Sequence, residues 1–426
     1  MTIIDRHIAE NKTFKLVYLG CRVNQYEVQA YRDQLTVLGY REVKDNEESA
    51  DVCIVNTCAV TGSAESSSRR AIRQLIRRNP KARVFVTGCF ADADKDFFRN
   101  LGESCVLVPN KEKHLLVEKI VPYAEELPEF AIKRFEDRSR AFIKVQDGCN
   151  SFCSYCIIPY LRGRSTSRPL SAVIKEIKGV VEQGYKEVVI AGINVGDYKD
   201  EDKSLADLIR AVDAIEGIER IRISSIDPED VNEDLREAVL SGRATCPSFH
   251  LVLQSGSNAI LKRMNRKYNR QDYLECVESL RACNPEFSFT TDIIVGFPGE
   301  SESDFLDTIK VVETVGFVKV HVFPFSARRR TKAYEFSGTL SPEIIGERKR
   351  RLSEFSDSVA FSLRKKRIGS KVSVLVESIH GNQAFGHSEF FEGVWFPHEG
   401  RSFVNDMVEV QVTGNSIDGL FGERVG

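Results

Sequence analysis

The sequence predicts an α/β protein in three parts: an N-terminal open parallel α/β domain, a central partial (β/α)6 barrel and a small C-terminal β-barrel. Three observations predict it. Apolar strand-like runs alternate with helical stretches from Phe14 to Phe323, the pattern of parallel sheets with right-handed crossovers. That alternation is interrupted by a Glu-, Lys-, Arg- and Pro-rich segment without a clear period. From Ser370 onward short strands are punctuated by Gly and Asn. The expected division is 1–121, a linker over 122–139, 140–369 and 370–426.

In the first part, residues 14–19, 51–56 and 83–87 read as strands, and 27–38 and 63–78 as helices. The second helix buries Ala71, Ile72, Leu75 and Ile76. Each strand is followed within one or two residues by a cysteine: Cys21, Cys58 and Cys89. In an open parallel sheet those positions share the carboxyl edge, where ligands bind. Three thiols distant in sequence could therefore form one site; ordinary loop cysteines are the alternative. Cys53 and Cys105 read as core thiols.

The central part offers six strands, at 141–145, 187–190, 220–223, 249–253, 287–295 and 317–323, separated by five helical stretches. A partial barrel places its active site at the carboxyl ends of the strands. Cys149, Cys153 and Cys156 follow the first strand, Gly192 and Asn194 the second, Ser224 the third, Gln254 and Ser255 the fourth, and Asp292 lies late on the fifth. Gly192 permits close backbone approach to a ligand. Ser224, Gln254 and Asp292 can hydrogen-bond a ribose or an amino acid group. The cysteine spacing i, i+4, i+7 turns three thiolates of one loop toward a common point. A structural zinc would want a fourth ligand, and the next histidine downstream is His250. A four-iron cluster on three thiolates would keep one iron open for a small molecule, with the Tyr155 ring beside it. A zinc knuckle with a distant fourth ligand is the alternative.

Composition narrows the class. Sixty basic and 62 acidic residues leave a net charge of −2, which neither requires nor forbids a nucleic-acid partner. Eleven cysteines in 426 residues are too sparse for a secreted disulfide scaffold. Residues 1–15 lack the apolar segment of a signal peptide, and no run of about eighteen apolar residues occurs. A reducing, cytoplasmic location is expected, with no membrane partner.

The cysteine loop resembles that of the radical S-adenosylmethionine (SAM) enzymes. The wider set resembles the radical SAM methylthiotransferase family: Leu19-Gly20-Cys21-Arg22-Val23-Asn24, Asn56-Thr57-Cys58, Thr87-Gly88-Cys89, Val145-Gln146-Asp147-Gly148-Cys149, Leu253-Gln254-Ser255-Gly256-Ser257 and Thr291-Asp292 through Gly299-Glu300. The resemblance covers essentially the whole chain. It implies two [4Fe–4S] clusters. One, on Cys149, Cys153 and Cys156, would bind and cleave SAM. The other, on Cys21, Cys58 and Cys89, would take part in sulfur insertion. Tyr155, Gly192, Asn194, Ser224, Gln254, Ser255 and Asp292 would surround the cofactor. The implied substrate is a purine of tRNA beside the anticodon, and the Leu-Gly-Cys-Arg-Val-Asn motif is similar to the branch acting at C2 of N6-threonylcarbamoyladenosine. Rival substrates are N6-isopentenyladenosine and an aspartate of a ribosomal protein; a non-catalytic, metal-containing RNA-binding protein is the rival of another class. A reductant protein and a sulfur source would be further partners.

The C-terminal part resembles the TRAM domain, an RNA-binding barrel, yet it is acidic and a poor phosphate binder by itself. RNA contacts are therefore expected from arginines elsewhere: Arg162, Arg164 and Arg168 after the cysteine loop, and Arg328, Arg329 and Arg330 after the sixth strand. At the latter place the family pattern is Arg-Pro-Gly-Thr, and this chain has Arg328-Arg329-Arg330-Thr331. Losing Pro and Gly removes a fixed and a permissive φ.

Overall fold

A computed structural model describes residues 12–44, 48–136, 138–398, 400 and 402–425. Most of the N-terminal stretch read above for a leader lies outside them.

The N-terminal sheet has five strands in the order Arg41–Glu42, Thr13–Tyr18, Val52–Thr57, Arg83–Gly88, Cys105–Leu107, all paired in parallel. The middle strand is buried along its whole length, as its unbroken apolar run requires. Helix Arg22–Val37 starts five residues earlier than periodicity suggests, directly after Cys21. Helix Gly62–Arg78 is capped by the Thr61 side chain, which accepts from the Ala64 amide. It buries Ser68, Ile72 and Leu75 and turns its arginines outward.

Residues 122–136 are packed, although their composition suggested only a tether. Phe130 lies between Tyr26 and Tyr31, with ring centroids 6.4 and 5.3 Å away. The Ile132 amide donates to Glu176 Oε1 at 2.6 Å and the Lys133 amide to Asp33 Oδ2 at 2.6 Å. The segment thus joins helix Arg22–Val37 to helix Leu170–Glu182.

The central domain is two three-stranded parallel sheets. One orders Arg220–Ile223, Glu187–Ala191 and Arg140–Lys144; the other orders Ser248–His250, Ser288–Val295 and Lys319–Pro324. Isolated bridges at Ile221–Thr245 and Ile226–Leu251 join them into a six-stranded partial barrel. Helix Arg22–Val37 lies against the first barrel strand: Tyr26 donates to Glu176 at 2.8 Å and Glu27 accepts from Lys144 at 3.0 Å.

Helix Pro342–Lys365 leads to a closed five-stranded barrel ordered Lys371–His380, Gln383–Ser388, Gly393–Pro397, Leu420–Arg424, Met407–Asn415. In Gln383–Ser388 glycine and polar residues hide the strand alternation, and the next strand begins only at Gly393, because Phe391 sits at φ 66° in a turn. That turn closes the floor of the central barrel. Arg220 donates to the carbonyls of His387 and Ser373, Arg222 to that of Ser388, and Ser288 to that of Phe390.

Candidate active site

The three N-terminal cysteines share one edge of their sheet. Cys21 caps helix Arg22–Val37, and Cys89 opens the short helix Cys89–Ala93. Gly20 makes the approach possible: at φ 97° its chain passes so close to Cys58 that a Cβ would sit 2.9 Å from that sulfur. Cys58 is fixed through its backbone, whose amide and carbonyl both bond Ser68 Oγ. Burial pushes the Cys58 thiol up to about 12, and burial raises Cys89 as well, against the pull of Arg162.

The second trio lies on the loop after Arg140–Lys144. Gly148 at φ 72° packs on the Arg164 carbonyl, where a Cβ would stand 2.1 Å away, and this turns the chain into Cys149. Phe152 adopts φ 48°, a left-handed conformation rare for a phenylalanine. The loop is pinned from across the barrel: Ser154 donates through its amide to the Met264 carbonyl and through its hydroxyl to that of Arg263. Burial pushes Cys156 up to about 12. Buried thiols at these values keep their protons unless a cation replaces them. Within each trio the thiols stand near enough to act on one another, Cys89 and Cys21 on Cys58 and Cys153 and Cys149 on Cys156, so the residues present fit the implied group.

Beside the cysteine loop lies a cleft of about 190 Å³. It is lined by Val60 and Thr61 after Cys58, by Tyr155 and Cys156 of the loop, and by Gln254, Asp292 and Phe323 to Ser326 of the barrel. Gln254 holds φ 64°, and its buried amide oxygen has no hydrogen-bond partner. Ser224 Oγ is likewise buried and unpartnered. The strained backbone and orphaned acceptor of Gln254, in the wall of the cleft, are the marks of a ligand site. Asn194 is buried where the second strand ends. Gly192 is needed by a neighbour: a Cβ there would stand 2.8 Å from Gln146 Oε1, which accepts from the amides of Ile193 and Asn194. Ser255 is fully buried and faces Thr308 and the Ser257 amide.

The arginines divide. Arg162 is withdrawn as an RNA contact: its side chain is fully buried and donates to Cys89 Sγ at 3.3 Å, Asp147 at 2.9 Å and Asn24 at 2.5 Å. Arg168 is held by Glu176 at 2.5 Å and by the Lys144 carbonyl, and Arg328 is buried against Glu65 at 2.5 Å. Neither is offered to a phosphate. Arg164, Arg329 and Arg330 are exposed. Arg330 takes φ 75° at the glycine position of the family turn, 5.8 Å over the Tyr160 ring.

Sequence reasoning missed three features. Arg266 is buried and donates to Cys153 Sγ at 3.0 Å, with Asp227 beside it. Each trio thus has one arginine bonded to a sulfur. Second, Glu27, fully buried, meets Lys113 at 2.6 Å, Lys144 at 3.0 Å and Arg162 at 3.3 Å, and Asp147 shares all three cations. Third, His250, Asp292 and His321, on adjacent strands, stand within 4.8 Å of one another. The buried acid at position 27 of an amphipathic helix was the one available signal.

Comparison with known proteins agrees with this geometry. A model described as the radical SAM superfamily matches residues 143–312, and one described as uncharacterized protein family UPF0004 matches 13–108. A threonylcarbamoyladenosine tRNA methylthiotransferase of Chlamydia pneumoniae is 62% identical over 98% of this chain and 100% of its own length. The chain belongs to the radical SAM tRNA methylthiotransferase family. Another relative of that description, from Thermotoga maritima, is 40% identical over 86% of the chain and 87% of its own. A tRNA-2-methylthio-N(6)-dimethylallyladenosine synthase of Moorella thermoacetica is 35% identical over 98% and 99%. In fold alone, the methyltransferase TsrM from Kitasatospora setae is similar, with a TM-score of 0.56 at 12% identity over 87% of this chain and 79% of its own. A [4Fe–4S] cluster and SAM are the family's cofactors. Among the described residues no helix is long and apolar enough to cross a membrane.

Proposed function

We propose that this enzyme adds a methylthio group to C2 of N6-threonylcarbamoyladenosine beside the anticodon of tRNA. The observation that carries the reading is one cleft whose wall holds Cys156 of the loop trio together with Val60 and Thr61, the residues that closely follow Cys58. In this reading Cys149, Cys153 and Cys156 hold one [4Fe–4S] cluster and Cys21, Cys58 and Cys89 a second. With SAM bound they supply hydrogen abstraction from an unactivated C–H and the sulfur that replaces it, chemistry beyond acid–base side chains. The chain's own residues do the rest. Tyr155, Asn194, Ser224, Gln254 and Asp292 line or approach the space for SAM and base. Phe323 to Phe325 give it an apolar wall. The exposed arginines Arg70, Arg73, Arg77 and Arg78 of helix Gly62–Arg78, with Arg164, Arg329 and Arg330, are the surface for anticodon-loop phosphates. Of the three units, 1–121 carries sulfur delivery, 140–369 carries the radical chemistry, and 370–426 is the TRAM-like barrel. A reductant protein and a sulfur source, in a reducing cytoplasm, complete the system. The 62% identity to a threonylcarbamoyladenosine enzyme against 35% to a dimethylallyladenosine enzyme supports the substrate choice.

The test combines two variants and one mass measurement. Cys153→Ala abolishes 5′-deoxyadenosine formation after anaerobic reconstitution. The Cys21, Cys58, Cys89→Ala triple variant keeps about half the iron and still cleaves SAM, with no thiomethylated nucleoside. Unchanged iron in the triple variant refutes the second cluster. In tRNA from a deletion strain, nucleoside mass spectrometry finds the 2-methylthio form of N6-threonylcarbamoyladenosine missing; its persistence refutes the substrate.

A further inference from the structure

The interior of the central barrel carries a second cavity, of about 70 Å³, lined by Arg22, Arg140, Phe142, Arg222, His250 and Thr290 among others. Its charge is out of balance. Arg140, Arg220 and Arg222 share the buried Glu187 at 2.9–3.4 Å, and Arg140 also meets Glu377. Those three arginines therefore have carboxylate partners. Arg22 does not. Its guanidinium lies 5.8 Å over the Phe142 ring, and among the described residues it makes no hydrogen bond or ion pair. Arg140 and Arg222 line the same cavity, so three guanidinium groups face one small space. A guanidinium in such a place gains from an added anion, and its planar fork suits a carboxylate.

The location restricts which anion. Arg22 directly follows Cys21, a candidate ligand of the N-terminal cluster. Asp292 stands in the wall of the active-site cleft and bonds toward His250, which lines the Arg22 cavity, at 3.4 Å. The Asp292–His250 pair thus links the wall of the cleft to the wall of the Arg22 cavity. We infer that Arg22 is a specificity-determining residue that receives the carboxylate of an amino acid substituent on the target base. This rests on the substrate reading above, in which N6 carries a threonine carboxylate; an isopentenyl substituent has no charge to offer. The methionine carboxylate of SAM has the same chemistry and is separated by experiment.

The test measures binding by the full-length, anaerobically reconstituted enzyme. The probes are anticodon stem-loops bearing N6-threonylcarbamoyladenosine, its threonine methyl ester, or N6-isopentenyladenosine. Wild type prefers the acid over the ester by on the order of ten- to a hundredfold, the range for a hydrogen bond to a charged group. Arg22→Gln brings that ratio to about one, and Arg22→Lys, which keeps a charge without the fork, retains part of it. A ratio unchanged in Arg22→Gln overturns the inference. So does equal weakening of acid and ester in both variants, because Arg22 then holds the fold and not the ligand. SAM affinity is measured without RNA, and a loss confined to SAM assigns Arg22 to the methionine and also overturns it. If wild type itself fails to prefer the threonine-bearing loop over the isopentenyl one, the substrate reading falls and takes the inference with it.

Discussion

Glu27→Gln tests how the N-terminal and central domains are joined. Glu27 and Asp147 together neutralise Lys113, Lys144 and Arg162, three cations on two carboxylates, and the remaining positive charge faces Cys89. At an effective dielectric near 20, each contact at about 3 Å carries gross attraction of about 5 kcal/mol, largely offset by the desolvation of both ions. Removing one partner leaves Asp147 facing all three cations. The net cost of breaking a buried pair in this way is about 3–5 kcal/mol. For domains of this size it lowers the melting temperature by about 6–20 °C. The assay is thermal unfolding under anaerobic conditions, with iron content as a parallel readout. Adding Lys144→Met removes one charge of the opposite sign and recovers at least about 1 kcal/mol. The sign with pH is also fixed. Burial works to raise the Glu27 pKa, but the three cations hold it well below the ordinary carboxylate range. Its stabilisation is therefore complete above the unfolded carboxylate value and is lost only as pH falls through the folded one. Between pH 5 and 8 the gap between wild type and variant stays constant. A drop of under about 2 °C, or strict additivity in the double variant, would refute the account.

Three further outcomes are expected. Arg266→Met removes the donor 3.0 Å from Cys153 Sγ; with iron content retained, the midpoint of the loop cluster moves negative, by about 65–130 mV if the lost bond is worth 1.5–3 kcal/mol, and an unmoved midpoint in a redox titration followed by electron paramagnetic resonance counts against it. Arg329→Ala with Arg330→Ala makes the slope of log affinity against log salt for tRNA shallower by about one to two units, and leaves SAM cleavage without tRNA unchanged; a wild-type slope removes these residues from the RNA surface. Burial, and then the neighbouring Asp227, Glu229 and Asp197 charges, raise Asp230 to about 7. A carboxyl whose folded pKa is raised makes its full contribution below the unfolded carboxylate value and loses it progressively as pH rises from there through about 7, so Asp230→Asn gains more stability over wild type at pH 8 than at pH 5, and equal melting shifts at both values rule this out.

The cysteines were legible because backbone geometry, which sequence encodes locally, decides where they fall. A thiol one or two residues beyond a buried parallel strand must lie on the carboxyl edge. The loop trio needed only its spacing. Arg162, Arg168 and Arg328 were misread because a basic residue looks the same in sequence whether it faces water or a buried acid. Their partners, Asp147 and Glu27, Glu176, and Glu65, come from other elements and only the tertiary fold unites them. The same holds for Arg266, one residue from exposed Lys267 yet bonded to Cys153. At Gly192 the close approach foreseen from sequence is made by Gln146, which sequence alone does not name. In the last domain, Gln383–Ser388 stayed hidden because it is held by its antiparallel neighbours on both sides and not by its own apolar residues.

The turn that closes the floor of the central barrel gives the last domain a task unrelated to RNA. A carbon-centred radical is quenched by whatever hydrogen donor or small molecule reaches it first, so a reaction chamber open at both ends would waste its reagent. Here the carbonyls of Ser388 and Phe390 cap Arg222 and Ser288, and the Phe391 ring forms part of the inner wall. The domain is thus a stopper as well as an arm. A shortened enzyme ending near Gly369 would lose that seal, and its defect would show as SAM consumed without product even on substrates too small to need the missing domain for binding.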